Sequence, residues 1–432
     1  MASIAGGFML EAAQAVAGGA DIADTLVEDA VAALVTRSMV VASESEDGTR
    51  YRLLETLRQF GEEQLVQSGH ADGLRQRHVR YFAEFMTRAW GGLWSADDPP
   101  WIRAVGREFE NLRVAVHAAV TDRNGEALAA LLKPHQWWAW HSLRYEVADW
   151  AVAALAVSPE PAFARPVALH LRMHGGRPEE ASRLAAGLGD AEDSGDPDLD
   201  CLAAWGHANA ALIAGTPGRT EWMHRAIAAS RRAGNAAQAA SLMSIQVVSK
   251  VIAGEMDEAR RIAVEAHREA KASGNQAALC WTSFFMGRAA SDADPERALR
   301  YFDRAAALAE RHRIPLVGGI AATEAAVLIA RHEDSDRAWA GLSRALRSFV
   351  DSGDRRQLWT SAHHLAYFLI RAGRRDEALE VWGELGGRQA YAAQHHRNEL
   401  TELLGEPGEG TLADDELVEY IRGVLDALDQ SE

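Results

Sequence analysis

The chain has 432 residues, with 45 lysine and arginine residues against 62 aspartate and glutamate residues, so 45 − 62 gives a formal charge of −17 at pH 7. This acidic balance excludes a general binder of nucleic acids or other polyanions. Hydrophobic residues make up 48% and charged residues 25% of the chain, which excludes extensive disorder. At roughly 100–200 residues per domain, this length predicts two or more domains or an array of repeats.

The sequence carries no signal for export or membrane insertion. The first twenty residues contain no lysine or arginine, so they lack the basic start of a signal peptide. No stretch reaches the roughly 18 apolar residues that a membrane-spanning helix needs. The two cysteines, Cys201 and Cys280, are too few for a disulfide framework or a four-thiolate zinc site. We therefore expect a soluble, cytoplasmic protein in which both thiols are buried as small hydrophobic groups.

The beginning of the chain predicts a helix, a hairpin and a second helix. Residues 26–35 carry apolar side chains at helical spacing, and Leu53–Val66 repeats that spacing. Between them, the β-prone runs Met39–Ala42 and Thr49–Leu53 flank an Asp-Gly turn at Asp47-Gly48, which indicates a hairpin. Helix, hairpin and helix in this order form the skeleton of a winged helix.

The remainder of the chain is rich in alanine, has helical patterning, and repeats with a period of about 40 residues. Alanines in similar acidic contexts stand 39, 40 and 40 residues apart, at Ala259, Ala298, Ala338 and Ala378. Gly-Asn or Gly-Asp pairs occur in the same register, at Gly234-Asn235, Gly274-Asn275 and Gly353-Asp354. Each repeat therefore predicts an acidic helix start, an amphipathic helix, a glycine stop and a second helix.

The repeats predict a solenoid. A small alanine near the start of the first helix lets a neighbouring helix approach closely, and helical pairs that cannot bury their apolar faces alone stack into a curved superhelix. The predicted fold is mainly α, with a small winged-helix module followed by an α-solenoid of tetratricopeptide-like helical hairpins. Its segments are a winged-helix-like module at 1–68, a tryptophan-rich helical junction at 69–160, the repeat array at 161–405 and a C-terminal capping helix at 406–432.

Several short segments, in this order, resemble one protein family. They are Ile4–Phe8, Leu34–Val40, Tyr51–Phe60, Leu74–Phe82 and Glu108–Ala115. Together they cover roughly the first 150 residues and resemble the carboxy-terminal half of bacterial STAND (NB-ARC) transcriptional regulators of LuxR type, which are large signal-transducing ATPases. The resemblance implies a winged helix that follows a nucleotide-binding ATPase module and leads into a tetratricopeptide-like sensor array.

Two departures from that family bear on function. The chain begins where the family's winged helix is already under way and has no Gly-x-x-x-x-Gly-Lys-[Ser/Thr] loop, so we expect no ATPase module and no ATPase activity. By the resemblance, a Met-His-Asp motif of related eukaryotic proteins, whose histidine touches bound nucleotide, corresponds here to Leu53-Leu54-Glu55. Leucine offers no hydrogen-bond donor to a phosphate. We therefore expect no cofactor and no nucleotide sensing by this module.

The charges argue against DNA binding by the winged helix. Residues 1–90 hold eight lysine and arginine residues against thirteen aspartate and glutamate residues, so 8 − 13 gives −5. The helix in the recognition position carries Asp24, Glu28 and Asp29, with a single arginine, Arg37, at its end. Each phosphate contact needs a cation, so we expect no direct nucleic-acid binding and favour a structural or switching role.

The sequence shows no catalytic or metal site. His170 and His174 are four residues apart, but Gly175-Gly176 follows at once and no glutamate completes a zinc-protease pattern. The adjacent pairs His363-His364 and His395-His396 project about 100° apart on a helix, so neither pair can easily chelate one ion. No Gly-x-Ser-x-Gly elbow occurs. We expect a protein that is not an enzyme and holds no metal.

Seven tryptophans fall within 61 residues, from Trp90 to Trp150. One interpretation is an aromatic pocket for a ligand or peptide, formed by residues such as Trp137 and Trp138. The other, which the composition favours, is that the indoles fill a core at the junction, because large flat side chains bury much area in few residues.

The array also predicts a binding surface, because curvature gathers one helix of each hairpin onto a continuous concave wall. The polar and aromatic candidates on or near the second helices are Asn209, Gln246, Trp281, Phe285, Thr323, Trp359 and His363. Several stacked hairpins easily supply the about 800 Å² that an ordinary interface buries on each partner. The acidic chain favours cationic or neutral partners.

Two functions of different classes are compatible with these patterns. The first is a non-enzymatic regulatory, sensor or scaffold protein that binds a protein, peptide or small-molecule effector on the concave face, with no membrane partner and with oligomerisation left open. The second is an effector-sensing fragment of an ATP-dependent transcriptional regulator whose ATPase lies upstream or on another chain. A catalytic site in the array would require polar residues that converge in a deep pocket.

Overall fold

A computed structural model of the protein describes residues 6–18, 22–45, 48–188, 194–252, 254–332, 336–386, 388 and 394–429. Within these ranges the chain forms twenty-three α-helices and one three-stranded sheet. The predicted mainly α fold is confirmed. Ile4, Ala5 and Asp47 of the motifs above, and the side chains of His395-His396, lie outside the described residues.

The first thirteen elements described are three strands and ten helices, one of which has 23 residues. They are β1 (Phe8–Met9), α1 (Leu10–Ala17), α2 (Asp24–Thr36), β2 (Val40–Ser45), β3 (Gly48–Leu53), α3 (Glu55–Gln67), α4 (Ala71–Leu93), α5 (Asp98–Arg107), α6 (Phe109–Thr121), α7 (Gly125–Leu132), α8 (His135–His141), α9 (Val147–Ala154) and α10 (Ala164–His174).

The elements described after these are all helices. They are α11 (Pro178–Ala186), α12 (Pro197–Ala214), α13 (Arg219–Arg232), α14 (Ala236–Ile252), α15 (Met256–Ser273), α16 (Gln276–Ala290), α17 (Pro295–His312), α18 (Pro315–His332), α19 (Asp336–Ser352), α20 (Arg355–Arg371), α21 (Arg375–Glu384), α22 (Gln394–Leu404) and α23 (Asp414–Asp429). In the described part of the chain, none of the helices combines the length and apolar character needed to cross a lipid bilayer.

The chain divides into two compact units. Unit 1 comprises Met1–Leu93, Asp97–Gln136 and Ala148–Val167, and unit 2 comprises Trp94–Ala96, Trp137–Val147 and Ala168–Glu432. The segment predicted as a tryptophan-rich junction therefore contributes residues to both units.

The predicted hairpin is present in unit 1. Strands β2 and β3 pair antiparallel from Val40 opposite Leu53 to Ser45 opposite Gly48, where the backbone has a φ of 108° that favours glycine. Strand β1 was not predicted; it pairs with β3 through Phe8 and places the strands in the order β1-β3-β2. Two residues are too few to show the alternation of a strand.

Arg50 on β3 ties the start of the chain to a helix of unit 1. Its guanidinium donates hydrogen bonds of 2.9 Å to the carbonyl oxygens of Gly6 and Gly7 and forms an ion pair of 2.5 Å with Glu108. Asn111 Nδ2 donates to the same Gly7 carbonyl at 2.9 Å and to Glu108 at 2.6 Å. Two of the segments that carry the family resemblance thus meet at one arginine, where the polar side chains of Glu108 and Asn111 take part in the contacts.

The Gly-Asn and Gly-Asp pairs of unit 2 end one helix and begin the next. The glycines at 234, 274 and 353 have φ values of 71°, 74° and 74°, the left-handed conformation in which helices commonly stop. The following Asn235, Asn275 and Asp354 then cap the next helix, accepting backbone N–H bonds of 3.0, 2.8 and 2.9 Å. Between α17 and α18 the left-handed residue is Arg313, with a φ of 58°, so that repeat keeps the geometry without the glycine.

Helices in the array approach one another closely. The repeat alanines at 259, 298, 338 and 378 are at most 1% exposed. A Cβ atom added at Gly287 on α16 would lie 2.5 Å from the Phe302 ring on α17, and one at Gly319 on α18 would lie 2.6 Å from the Phe349 ring on α19. These positions leave no room for an additional methyl group, as the packing argument for the alanines predicts.

This packing predicts the effect of enlarging one alanine. Ala298→Leu should lower the free energy of unfolding by about 1–3 kcal/mol, because three additional carbons enter a fully packed contact. Ala307→Leu, at an exposed position on the same helix, is the matched control and should change stability by about 0.5 kcal/mol or less. Urea unfolding followed by circular dichroism measures both, and equal midpoints for the two variants would contradict the packing argument.

Candidate functional site

Unit 2 contains a cavity with a volume of about 90 Å³. In the described chain its lining comes from seven alternate helices, α8, α10, α12, α14, α16, α18 and α20, together with Arg219 at the start of α13. The helices α14, α16, α18 and α20 each contact the next of the series. The second helices of successive repeats therefore form one continuous wall, and the cavity lies on it.

The wall of the cavity is largely aromatic. The ring centroid of Trp140 lies 5.1 Å from that of Trp281, 4.8 Å from that of His170 and 4.7 Å from that of His174. Trp205 lies 4.5 Å from His170, and all of these side chains are at most 4% exposed. Phe284 and Phe285 extend the same wall along α16, and aliphatic side chains complete it. Such a surface suits a flat apolar group.

Two hydroxyl groups in the cavity already bond to each other. Thr323 Oγ1 donates to the Gly319 carbonyl at 3.1 Å and lies 3.1 Å from Ser361 Oγ. A hydroxyl has one hydrogen, so Ser361 donates to Thr323. Both hydrogens are used within the protein, and these groups can offer only lone pairs to a ligand.

The charged groups of the lining leave a positive balance. Arg288 forms an ion pair with Glu324, and both side chains are largely buried. Arg219 donates a hydrogen bond to Ser249 on α14. Two arginines and one glutamate give a formal charge of 2 − 1 = +1 for the described lining when the histidines are neutral.

The histidines of the cavity are neutral at pH 7. Burial lowers the pKa of His170 to about 3, and the nearby positive charge of Arg356 adds to this effect. Burial, His170 and Arg356 also hold the pKa of His174 well below its ordinary value. Asn209 Nδ2 donates to His170 Nδ1 at 3.1 Å, so the hydrogen of the neutral ring resides on Nε2.

Three N–H groups around the cavity lack an acceptor within the described residues. They are Nε2 of His170 and the indole Nε1 atoms of Trp140 and Trp281, all shielded from solvent. A buried donor without a partner costs about 1–3 kcal/mol. Water, an ion or a ligand that supplies an acceptor would satisfy them.

The residues predicted for the binding surface divide between the cavity and its surroundings. Asn209, Trp281, Phe285 and Thr323 line the cavity. Trp137 is buried behind it, with its ring centroid 5.7 Å from that of Trp140.

The other predicted residues lie elsewhere in unit 2. Trp138 is buried outside the lining. On α20, His363 Nδ1 lies 2.6 Å from the Trp359 carbonyl oxygen, and both side chains are buried away from the cavity. Gln246 lies in a separate groove between α13, α14 and α15.

Sequence reasoning missed several residues of the cavity. They are His170, His174, Trp205, Arg219, Arg288 and Glu324, whereas Trp140 belongs to the tryptophan cluster that the sequence interpreted as a possible aromatic pocket. The spacing of His170 and His174 placed them on one helix face but suggested only a metal, and within the described chain no group of three or more His, Cys, Asp or Glu residues could hold one. Both cysteines are buried free thiols, as predicted, and burial raises the pKa of Cys201 to about 12.

Comparison with known proteins supports the fold. No family model matches the chain. Three curated mycobacterial proteins, two from Mycobacterium tuberculosis and one from Mycobacterium bovis, are 40% identical over 134 residues, which is 30% of this chain and 14% of each relative. Each is named "Putative HTH-type transcriptional regulator". The match therefore spans only a small part of the relatives' length.

A solved structure resembles the chain over its whole length. It is a signal transduction ATPase with numerous domains (STAND) protein with a tetratricopeptide repeat sensor, from Pyrococcus horikoshii. The likeness covers 100% of this chain and 64% of that protein, with a TM-score of 0.51 and 13% identity. At this identity the likeness shows the fold alone, and that fold is the helical array predicted from the repeats.

The buried histidines predict that acid destabilises unit 2. His141 and His170 have pKa values of about 3 in the folded chain against an ordinary value of 6.5, so below pH 6.5 the unfolded chain binds protons that the folded chain does not. Their contribution to stability is complete above pH 6.5 and falls as the pH approaches 3. At pH 5 the loss is about 2 kcal/mol for each histidine.

Asp354 has the opposite effect on stability in acid. Burial raises its pKa to about 6, so the folded chain holds a proton at pH 5 that the unfolded chain releases, a gain of about 1 kcal/mol. The net expectation for these three groups is a loss of about 2–3 kcal/mol between pH 7 and pH 5, measured by urea unfolding. The variant His170→Gln cannot titrate and should lose less between the two pH values. Equal or greater stability at pH 5 would show that the histidines are not held neutral.

Proposed function

We propose that this chain is a non-enzymatic regulatory sensor of STAND type, in which an effector binds the inner wall of the helical array. The observation that carries the proposal is the cavity, whose described lining comes from seven alternate helices. A ligand there contacts several repeats at once, so it stabilises the arrangement of repeats that it fits best. Binding can thus be converted into a change of the array.

Similarity to known proteins supports a regulatory role of this general type. The fold matches a STAND protein with a repeat sensor, and the matched relatives carry the name of transcriptional regulators. The helix, hairpin and helix of α2, β2, β3 and α3 agree with a winged helix that relays the signal. A cytoplasmic location and a protein, peptide or small-molecule effector belong to the proposal.

The chemistry of the lining favours binding over catalysis. The two histidines are neutral, and their lowered pKa values make them weak bases. No thiol occurs among the described lining residues, and the carboxylate of Glu324 is paired with Arg288. A nucleophile with an adjacent base, the arrangement that covalent catalysis requires, is not assembled by these side chains.

A thermal-shift assay with fractions of cell extract tests the proposal. At least one fraction, small-molecule or macromolecular, should raise the melting temperature, because a ligand at one hundred times its Kd adds about 2.7 kcal/mol to stability. Ile320→Trp places an indole in the cavity and should abolish the shift. Val264→Trp, at a position 55% exposed on α15, is the matched control and should retain it. No shift with any fraction would refute the sensor function.

The acidic N-terminal module predicts weak DNA binding. In fluorescence anisotropy with a labelled duplex, we expect no binding tighter than about 1 µM at physiological salt, because eight cations face thirteen anions in residues 1–90. Steeply salt-dependent binding with a lower Kd would show that the module uses a basic surface after all. A scrambled duplex separates sequence-specific from general binding.

The second candidate, an effector-sensing part of an ATP-dependent transcriptional regulator, is favoured by the length of the relatives, of which the matched segment is 14%. In that case the array would act on an ATPase module encoded upstream or on another chain. The coding sequence upstream of Met1 separates the two candidates: an in-frame ATPase with a phosphate-binding loop supports the second. An effector response of the chain by itself supports the first.

A further inference from the structure

We propose that the cavity of unit 2 binds a small planar carboxylate, such as an aromatic acid, with its ring against the indoles and its carboxylate at their N–H groups. This inference rests on the proposed sensor function and names the class of effector. Four properties of the site lead to it: its size, its aromatic wall, the sign of its charge and its unsatisfied donors.

The size of the cavity favours a small molecule over a protein or peptide. A volume of about 90 Å³ accommodates roughly six to nine water-sized groups. A protein partner of ordinary size would need about 800 Å² of open surface instead. The residues that sequence analysis placed on an open wall, Trp281 and Phe285, are only 3% exposed.

The wall selects a flat ring. Trp281 stands edge-on to Phe285 and to Trp140, with centroid distances of 5.3 and 5.1 Å, and the three indoles of the lining surround the same space. An aromatic ligand can stack on one ring and meet the edge of another, each contact worth about 0.5–1.5 kcal/mol beyond the burial of its area.

The charges select an anion over a cation. Aromatic boxes often bind quaternary ammonium groups, but a cation here would meet a lining whose formal charge is +1, with Arg219 in excess of the Arg288–Glu324 pair. The positive charge of Arg356 also reaches the site, since it contributes to the lowered pKa of both His170 and His174. Glu324, the carboxylate of the lining, is neutralised by Arg288.

The unsatisfied donors select a group rich in acceptors. Trp140 and Trp281 offer one indole N–H each, and the neutral His170 offers Nε2–H. A carboxylate has about four lone-pair sites on two oxygens, so its number of acceptor sites is sufficient for three donors. Because these nitrogens are shielded from solvent, the rings must shift slightly to reach a ligand, and the tryptophan signals should report binding.

The experiment uses the full chain and three probes that share one ring. We expect benzoate to bind with saturable changes in tryptophan fluorescence and near-ultraviolet circular dichroism. Methyl benzoate, which lacks the charge, should bind at least about tenfold more weakly, and benzyltrimethylammonium should not bind. Indole-3-carboxylate serves as a larger acid of the same class.

Two conservative variants test the donors and the charge. Trp281→Phe keeps a ring but removes its N–H, and should weaken benzoate binding about tenfold while methyl benzoate changes less. Arg219→Gln should reduce the preference for the acid over the ester. Trp222→Phe, on α13 outside the cavity, is the control and should leave both affinities unchanged. Trp140→Phe replaces Trp281→Phe if that variant does not fold.

The outcomes separate this inference from the sensor function. If the cation binds in place of the acid, or no aromatic acid binds, the effector class is wrong. The sensor function still holds in that case if an extract fraction stabilises the chain and Ile320→Trp abolishes the shift. If acids bind but Trp281→Phe and Arg219→Gln behave like Trp222→Phe, binding occurs elsewhere and the assignment to this cavity is overturned.

Discussion

Close approach between neighbouring helices is the constraint on which unit 2 depends. Alanines and glycines at the contacts let the helices pack at a distance that excludes an additional methyl group. Left-handed residues between helices, mostly glycine, then turn the chain sharply, and the next side chain caps the following helix. Because both devices recur about every 40 residues, each repeat places its second helix beside the previous one, and these helices share a wall.

The cavity lies where large side chains stand in place of the small residues found at other helix contacts. On α8, α12 and α16, large indoles occupy the shared wall where small residues would close it, and their rings contact one another around a small open volume. The same rings exclude water from His170 and His174, which keeps both imidazoles neutral. Aromatic packing therefore produces the shape of the site, its low polarity and its unsatisfied N–H groups together.

The repeats could be predicted because their signals are local. Gly274 and Asn275 stand next to each other, and Ala259 and Ala298 recur at a fixed spacing. The site could be predicted only in part. Trp281 and Phe285 were identified from their place on a second helix, but Trp140 and His170 belong to earlier helices without a clear repeat register. The contact between Trp140 and His170 depends on the path of the chain between them. Strand β1 could not be predicted either, because its two residues are too few to show a pattern.

Arg50, which joins β3 to the start of the chain, restricts movement within unit 1. The Arg50 guanidinium and the buried Asn111 side chain both donate hydrogen bonds to the Gly7 carbonyl oxygen. These two residues lie 43 and 104 positions from Gly7 along the chain. Sliding the sheet past α6 would break an ion pair and several charge-assisted hydrogen bonds at once. These contacts therefore oppose any independent movement of the sheet and the helix.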